Sequence, residues 1–332
     1  MNTPHPPDTL PVPPELGDAL EGFETVAVIT HVAPDGDAIG STLGLVHLLR
    51  EQGKQAIPIC QDPVPYQVNW LPHVDEFQRT IPPDVDAIIS IDLSDIDRMG
   101  SPYDPEQFGH LPLINIDHHA TNTLFGTVNW VEPRAVAACE MVYHLARAQN
   151  WPLTPRVATY ILTGLLTDTR GLRTANVNAR VMHVATHLVE LGAPIGEITE
   201  LTFNRKPLSL IKLWALALPH LHIEKEGIIW TIITEAMREE AGHREENDGG
   251  LVSFITAAEG MLVGIVFTEK PDGRVNVSFR SRPGVDVSRV AFALGGGGHP
   301  QASGATLNGS LDDVIPRVLA QVKEMLQHAG EA

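Results

Sequence analysis

The sequence predicts an α/β protein: a parallel sheet with flanking helices in the N-terminal part, joined by a helical linker to a smaller α/β domain. Three observations carry this. Short apolar runs alternate with amphipathic, helix-length segments between residues 25 and 191. Three of those runs end abruptly in acids or histidines, which is where open parallel sheets hold ligands. Beyond residue 220 the pattern changes to strands, one of them strictly alternating. The boundaries read as a disordered proline-rich arm over 1–16, a first domain over 17–192, the linker over 193–218 and a second domain over 219–330.

Taken in order, 25–30 is apolar and β-branched enough for a buried strand. A helix over 38–51 sets Ile39, Leu43, Val46 and Leu49 along one face, and Gly53 stops it. Runs 56–60, 86–91 and 111–116 are further buried strands, while 135–149, 156–166 and 178–191 are helices. From 194 to 218 two helices are interrupted at Pro207. In the second domain 228–233 and 261–267 are apolar strands. Residues 274–280 alternate Val275, Val277 and Phe279 against Asn276, Ser278 and Arg280, a half-buried strand. A short helix over 286–294 precedes GGGGHPQASGA, and 311–326 is an amphipathic helix with Val314, Ile315, Val318, Leu319 and Val322 on its stripe.

Composition excludes several classes. With 332 residues, 43% hydrophobic and 19% charged, the chain has the profile of a globular protein with room for two cores. No run of about 18 apolar residues appears, so no membrane helix is expected. The first residues lack the basic start and apolar stretch of a signal peptide, which points to a cytoplasmic protein. Cys60 and Cys139 then read as reduced core residues. A net charge of -18 argues against gripping long nucleic acid, because counterion release needs an array of Lys and Arg.

The chemistry gathers at the strand tips. His31, Asp35 and Asp37 follow the first strand, Asp92 follows 86–91, and Asp117, His118 and His119 follow 111–116. Gly36, between two of the acids, reads as the residue that permits a sharp backbone path. With Asp168, the set His31, Asp35, Asp37, Asp92 and His118 supplies carboxylates and imidazoles in the number and kind that a pair of divalent cations needs. Each acid taken alone is equally well explained as a helix cap or turn residue. Adjacent in an extended tip, His118 and His119 should point to opposite sides: His118 as a ligand, His119 toward a reacting phosphate, and Asp117 orienting an imidazole. Gly296, Gly297, Gly298 and His299, with Arg280 and Arg282 upstream, suit an anion, because bare N–H groups and guanidinium forks both bind phosphate.

In order and spacing, HVAPDGDAIGS, the DLSD at 92–95, the DHH at 117–119 and LLTDTRGLRTAN around Asp168 resemble the four motifs of the DHH phosphoesterase superfamily. GGGGHPQASGA resembles the signature of the DHH-associated C-terminal domain. Length and layout are most similar to the nanoRNase/pAp phosphatase group. That resemblance implies hydrolysis of very short oligoribonucleotides, linear dinucleotides and 3'-phosphoadenosine 5'-phosphate (pAp) by a water activated between two manganese ions. It implies one cation held by His31, Asp35 and Asp92, a second by Asp37, Asp92, His118 and Asp168, with Asp92 bridging and His119 beside the chemistry. Arg280, Ser281, Arg282, Gly296, Gly297, Gly298 and His299 would bind the substrate's terminal phosphate or base. A short RNA or nucleotide is the expected partner, with no long nucleic acid and no membrane, and a homodimer is left open. The rival readings are a cyclic-dinucleotide phosphodiesterase, an inorganic pyrophosphatase and a non-catalytic nucleotide-binding module. The Ser-Arg-Lys-Lys-Gln motif of the pyrophosphatase branch is absent.

Overall fold

The computed structural model describes residues 9–245 and 247–329. The chain forms two compact units, Met1–Arg205 and Lys206–Ala332. The helices expected to make a linker over 193–218 divide between them. Ile198, in the helix Ile195–Thr199, is buried in the core of the first unit. Leu210, Leu213 and Ala217 are buried along the helix Leu208–Ala217, and the Ala217 carbonyl accepts a 2.7 Å bond from Thr231 of the second.

In the first unit, strands β1 (Thr25–Ile29), β2 (Gln55–Ile59), β3 (Ala87–Ile91), β4 (Leu113–Asp117) and β5 (Val128–Val131) form a parallel sheet in the order β2-β1-β3-β4-β5. The chain leaves β1 toward one edge and returns to its other side at β3, so the strand order reverses between them and a crevice opens at their carboxyl ends. Strand β5 was not expected from sequence: Val-Asn-Trp-Val is short and lies at the sheet edge, with only Trp130 fully buried. The expected arm also ends earlier than read. Residues 1–8 lie outside the described residues, but Pro14–Glu21 is a helix whose Leu16 and Leu20 are buried in the core. Proline is compatible with a first helical turn, where its missing N–H costs nothing.

Small residues bring the helices Gly36–Glu51 and Pro155–Asp168 together. Gly36, Gly40 and Gly44 recur every four residues, hence on one face. A Cβ on Gly40 would lie 2.6 Å from the Tyr160 carbonyl oxygen, and one on Gly36 would lie 2.5 Å from Thr167 Cγ2. Gly36 is therefore required for close packing at the first helical position, rather than for the sharp backbone path that its place between two acids suggested.

A buried ion pair secures the neighbouring helix Ala138–Ala148. Glu140 Oε1 accepts from Arg180 Nε at 2.7 Å, and its Oε2 accepts from the Val136 N–H at 2.8 Å. Burial alone would raise the Glu140 pKa, but His144, Arg180 and that N–H outweigh it, leaving it below the usual 4.5. With the folded pKa depressed, the stabilisation is present above about pH 4.5 and disappears as pH falls through the folded value. Replacing Arg180 by methionine strands the buried carboxylate and should cost about 3–5 kcal/mol at neutral pH, with a smaller difference in acid, measurable by urea unfolding at pH 7 and pH 3.5.

The second unit is a six-stranded sheet in the order β10-β11-β9-β8-β7-β6, with β6 at His222–Ile223, β7 at Ile228–Ile233, β8 at Val263–Glu269, β9 at Arg274–Ser281, β10 at Gly297–His299 and β11 at Ala302–Asn308. Only β7 and β8 run parallel, and the crossover this demands contains the helices Glu235–Ala241 and Leu251–Thr256. Val275, Val277 and Phe279 of β9 pack with Val314, Val318 and Val322 of the helix Leu311–Ala329, as the alternation predicts. Sequence patterning missed the β10–β11 hairpin, because Ala-Ser-Gly-Ala-Thr-Leu-Asn carries too little bulk to register as a strand. Among the described residues no helix is long and apolar enough to cross a membrane.

Candidate metal centre

The carboxyl ends of β1, β3 and β4 bring their acids and histidines into one pocket. Asp35 caps the helix Gly36–Glu51, its Oδ1 accepting from the N–H groups of Asp37 and Ala38 at 2.9 and 3.0 Å. Asp37, in the first turn, is buried, and the N–H groups of Ala138 and Cys139 donate to its two oxygens at 2.5 and 3.0 Å. The N-terminus of a second helix thus holds this carboxylate. Asp92 follows β3 with a φ of 62°, a left-handed conformation that aspartate tolerates better than most residues. Asp168 closes the helix Pro155–Asp168, which the glycine contacts draw against Gly36–Glu51.

These side chains interlock around Asp92. His31 Nε2 lies 3.8 Å from Asp92 Oδ2, and His118 Nε2 lies 3.4 Å from Asp92 Oδ1 and 3.9 Å from Asp168 Oδ2. Donor atoms fall within 4.8 Å of one another in the groups His31–Asp35–Asp92, Asp37–His118–Asp168 and Asp92–His118–His119. The two histidines do not point to opposite sides. Their ring centroids are 4.5 Å apart and His119 Nδ1 is also 3.9 Å from Asp92, because β4 ends at Asp117 and strand alternation no longer applies. Asp117 is buried and its Oδ1 holds His119 Nδ1 at 2.7 Å, while Asn122 donates to its Oδ2 at 2.7 Å. Burial would raise the Asp117 pKa, but these partners keep it below the usual carboxylate range.

The electrostatics of the pocket suit divalent cations. Burial, then Asp37, holds the Asp92 carboxyl well above its ordinary range, and the same two causes push Asp168 up to about 7. Asp37 is raised by burial. Burial would depress His118, yet the adjacent carboxylate of Asp92, with the charges of Asp37 and Asp168, lifts it to about 10. Asp92 Oδ1 is buried without a hydrogen bond, with His118 Nε2 3.4 Å away but not aligned to donate to it. Carboxylates so crowded, one with an orphaned oxygen, together with imidazole nitrogen, form a donor set for hard or borderline divalent ions. Neither thiol competes as a ligand: Cys60 and Cys139 are free and buried, and burial pushes Cys60 up to about 11.

In the second unit, Arg280, Ser281 and the glycine-rich segment converge on one end of the sheet. Strand β10 pairs Gly298 with Ser303, and β11 pairs Ala302 with Arg280. Strand β10 is an exposed edge, so half of its peptide groups turn away from its neighbour. A Cβ on Gly296 would lie 2.1 Å from the Gly304 carbonyl oxygen, so glycine is required there. Gly297 has open space around it. Ser281 Oγ donates to Val285 O at 2.6 Å within its own turn, and Arg282 Nη2 donates at 3.0 Å to Ala257 O, just past the helix Leu251–Thr256, so both side chains are partly committed to structural contacts. The backbone grip on Asp37 from Ala138 and Cys139, a hundred residues away, had no signal in the sequence. Asn122, three residues past His119, lay near enough to be noticed.

With a cluster of acids and histidines at the switch point of its parallel sheet and a mixed sheet in its second unit, the chain also matches two known family models. The model of the DHH family, N-terminal domain, covers residues 25–165, and that of the DHHA1 domain covers residues 232–328. The chain belongs to the DHH family. It is 37% identical over 321 residues to the bifunctional oligoribonuclease and PAP phosphatase NrnA of Thermus thermophilus, spanning 95% of this chain and 94% of that one. Identity to the Bacillus subtilis protein of the same name is 26% over 94% of this chain and 97% of its length. An exopolyphosphatase-related protein from Bacteroides fragilis shares the fold, with a TM-score of 0.88 at 21% identity over 95% of this chain and 96% of that chain.

Proposed function

We propose that the chain is a manganese-dependent phosphoesterase of the cytoplasm that hydrolyses short oligoribonucleotides, linear dinucleotides and pAp. The observation that carries this reading is the convergence of His31, Asp35, Asp37, Asp92, His118 and Asp168 around one buried carboxylate. The names of the relatives similar over nearly the whole chain support the choice of substrates.

His31, Asp35 and Asp92 would hold one cation and Asp37, Asp92, His118 and Asp168 the other. When bound, such a pair lowers the pKa of water toward about 7 and offsets charge on the phosphoryl oxygens. The rest falls to the chain's own groups. Asp117 accepts from His119 Nδ1 and so leaves Nε2 as the nitrogen able to exchange a proton with the leaving group. Ala138 and Cys139 keep Asp37 aimed without taking its charge. Arg280, Ser281, Arg282, Gly296, Gly297, Gly298 and His299 would hold the terminal phosphate or base.

A grip on a terminal group favours short substrates, and the net charge of -18 disfavours long strands. RNAs of about two to four nucleotides should therefore be cleaved faster than a long single strand, by about tenfold or more in kcat/KM for each 1.4 kcal/mol that the terminal contact contributes. Equal rates would contradict the length preference. A manganese-supplemented assay of pAp, a linear dinucleotide, a cyclic dinucleotide and pyrophosphate tests the whole reading. Preferential release of phosphate from pyrophosphate, preferential cleavage of the cyclic substrate, or binding without turnover would replace it.

A further inference from the structure

Arg98 lies six residues past Asp92, in the short turn Ile96–Met99. The Val32 N–H donates to the Arg98 carbonyl at 2.9 Å, pinning this turn to the loop that carries His31. Gly100 has no room for a Cβ, which would lie 2.6 Å from Val32 Cγ1. The turn is thus held against the rim of the pocket, and the half-buried guanidinium reaches in until Nη2 is 3.1 Å from His31 Nδ1. No carboxylate among the described residues pairs with it, in a region otherwise crowded with acids.

That contact is chemically incomplete. His31 Nδ1 is also 2.9 Å from the Val32 carbonyl oxygen, which requires a proton on Nδ1, whereas a guanidinium N–H requires a lone pair there. One nitrogen cannot satisfy both. If His31 ligates through Nε2, the neutral ring keeps its proton on Nδ1 and donates to Val32. The guanidinium then faces another donor and lacks an acceptor at a site where an anion is to be bound.

We propose that Arg98 is a catalytic residue that binds a non-bridging oxygen of the scissile phosphate, a reading that rests on the phosphoesterase function given above. A planar fork of donors matches phosphoryl oxygens, and its charge offsets what develops there as the ester breaks. Because monoester and diester substrates alike present non-bridging oxygens on the scissile phosphorus, the contribution should not depend on substrate length.

The test uses the full chain with manganese and the variants Arg98→Ala and Arg98→Lys. Arg98→Ala should lower kcat/KM by about 10²–10³-fold, equally for pAp and a linear dinucleotide, with partial recovery in Arg98→Lys. Calorimetric affinity for inorganic phosphate should fall by about tenfold or more, the loss of about 1.4 kcal/mol of charge-assisted contact, while manganese affinity stays within about threefold. Parent-like turnover and phosphate affinity in Arg98→Ala would overturn the proposal. So would a loss that merely tracks manganese occupancy, since Arg98 would then only support His31. If the parent protein turned over no phosphoester, the broader function would fail, and the phosphate titration alone would decide on Arg98.

Discussion

Replacing Asp92 by asparagine should lower hydrolysis of pAp and short oligoribonucleotides by about a thousandfold or more, beyond the ~10²–10³ typical of losing one electrostatic contact, with the fold preserved. The expectation follows from the position of its two oxygens. Oδ2 faces His31 at 3.8 Å and Oδ1 faces His118 at 3.4 Å, so a single carboxylate lies between the two proposed ligand groups. Under the proposed assignment, removing its charge would affect both cations, whereas losing any other acid would affect one. Asparagine is the informative substitution because the backbone has φ 62°, which asparagine adopts readily. Alanine there adds about 1–2 kcal/mol of strain and confuses folding with chemistry. Thermal melting should be close to the parent while calorimetric manganese titration loses its tight phase. Retention of manganese-dependent turnover within about tenfold of the parent would remove Asp92 from the bridging role, since a lost shared contact is worth far more than 1.4 kcal/mol.

Enlarging Gly40 should lower stability and should reach the ligand cluster from a distance. A Cβ there would meet a backbone oxygen, Tyr160 O at 2.6 Å, which cannot rotate away. Gly40→Ala should cost about 1–3 kcal/mol and Gly40→Val more, because overpacking forces the two helices apart. At roughly 2–4 °C per kcal/mol for a unit of this size, the alanine variant should melt several degrees early. The same helices carry Asp37 in a first turn and Asp168 in a last turn, so moving them apart separates two carboxylates of one ligand group. Gly40→Ala should therefore bind manganese more weakly than the parent even well below its melting temperature. A variant that melts and titrates like the parent would mean that the helices tolerate wider spacing.

Much of the first unit could be read from local pattern. The cores of β1, β3 and β4 are β-branched runs that end in acids or histidines, so both the strand and its functional tip are written within about ten consecutive residues. Elements without that bulk were not legible. Strand β5 is a four-residue edge, and the β10–β11 hairpin is built of glycine, alanine and serine. The helix at Pro14–Glu21 was hidden by the proline density around it, although its Leu16 and Leu20 have the spacing of a buried face.

By itself, the sequence determined which donor atoms this protein owns, that most of them follow the carboxyl ends of parallel strands, and that glycines and arginines gather late in the chain. These follow from residue type and local periodicity, which act over one helix turn or one strand. Only the tertiary structure decided which donors share a neighbourhood, that His118 and His119 turn toward the same carboxylate, that Ala138 and Cys139 hold Asp37, and that Arg98 meets His31. Those outcomes depend on strand order, on where β4 stops and on how closely two glycine-lined helices approach, and distances between residues as far apart as Asp37 and Cys139 are set by the packing of the whole unit rather than by any local stretch of it.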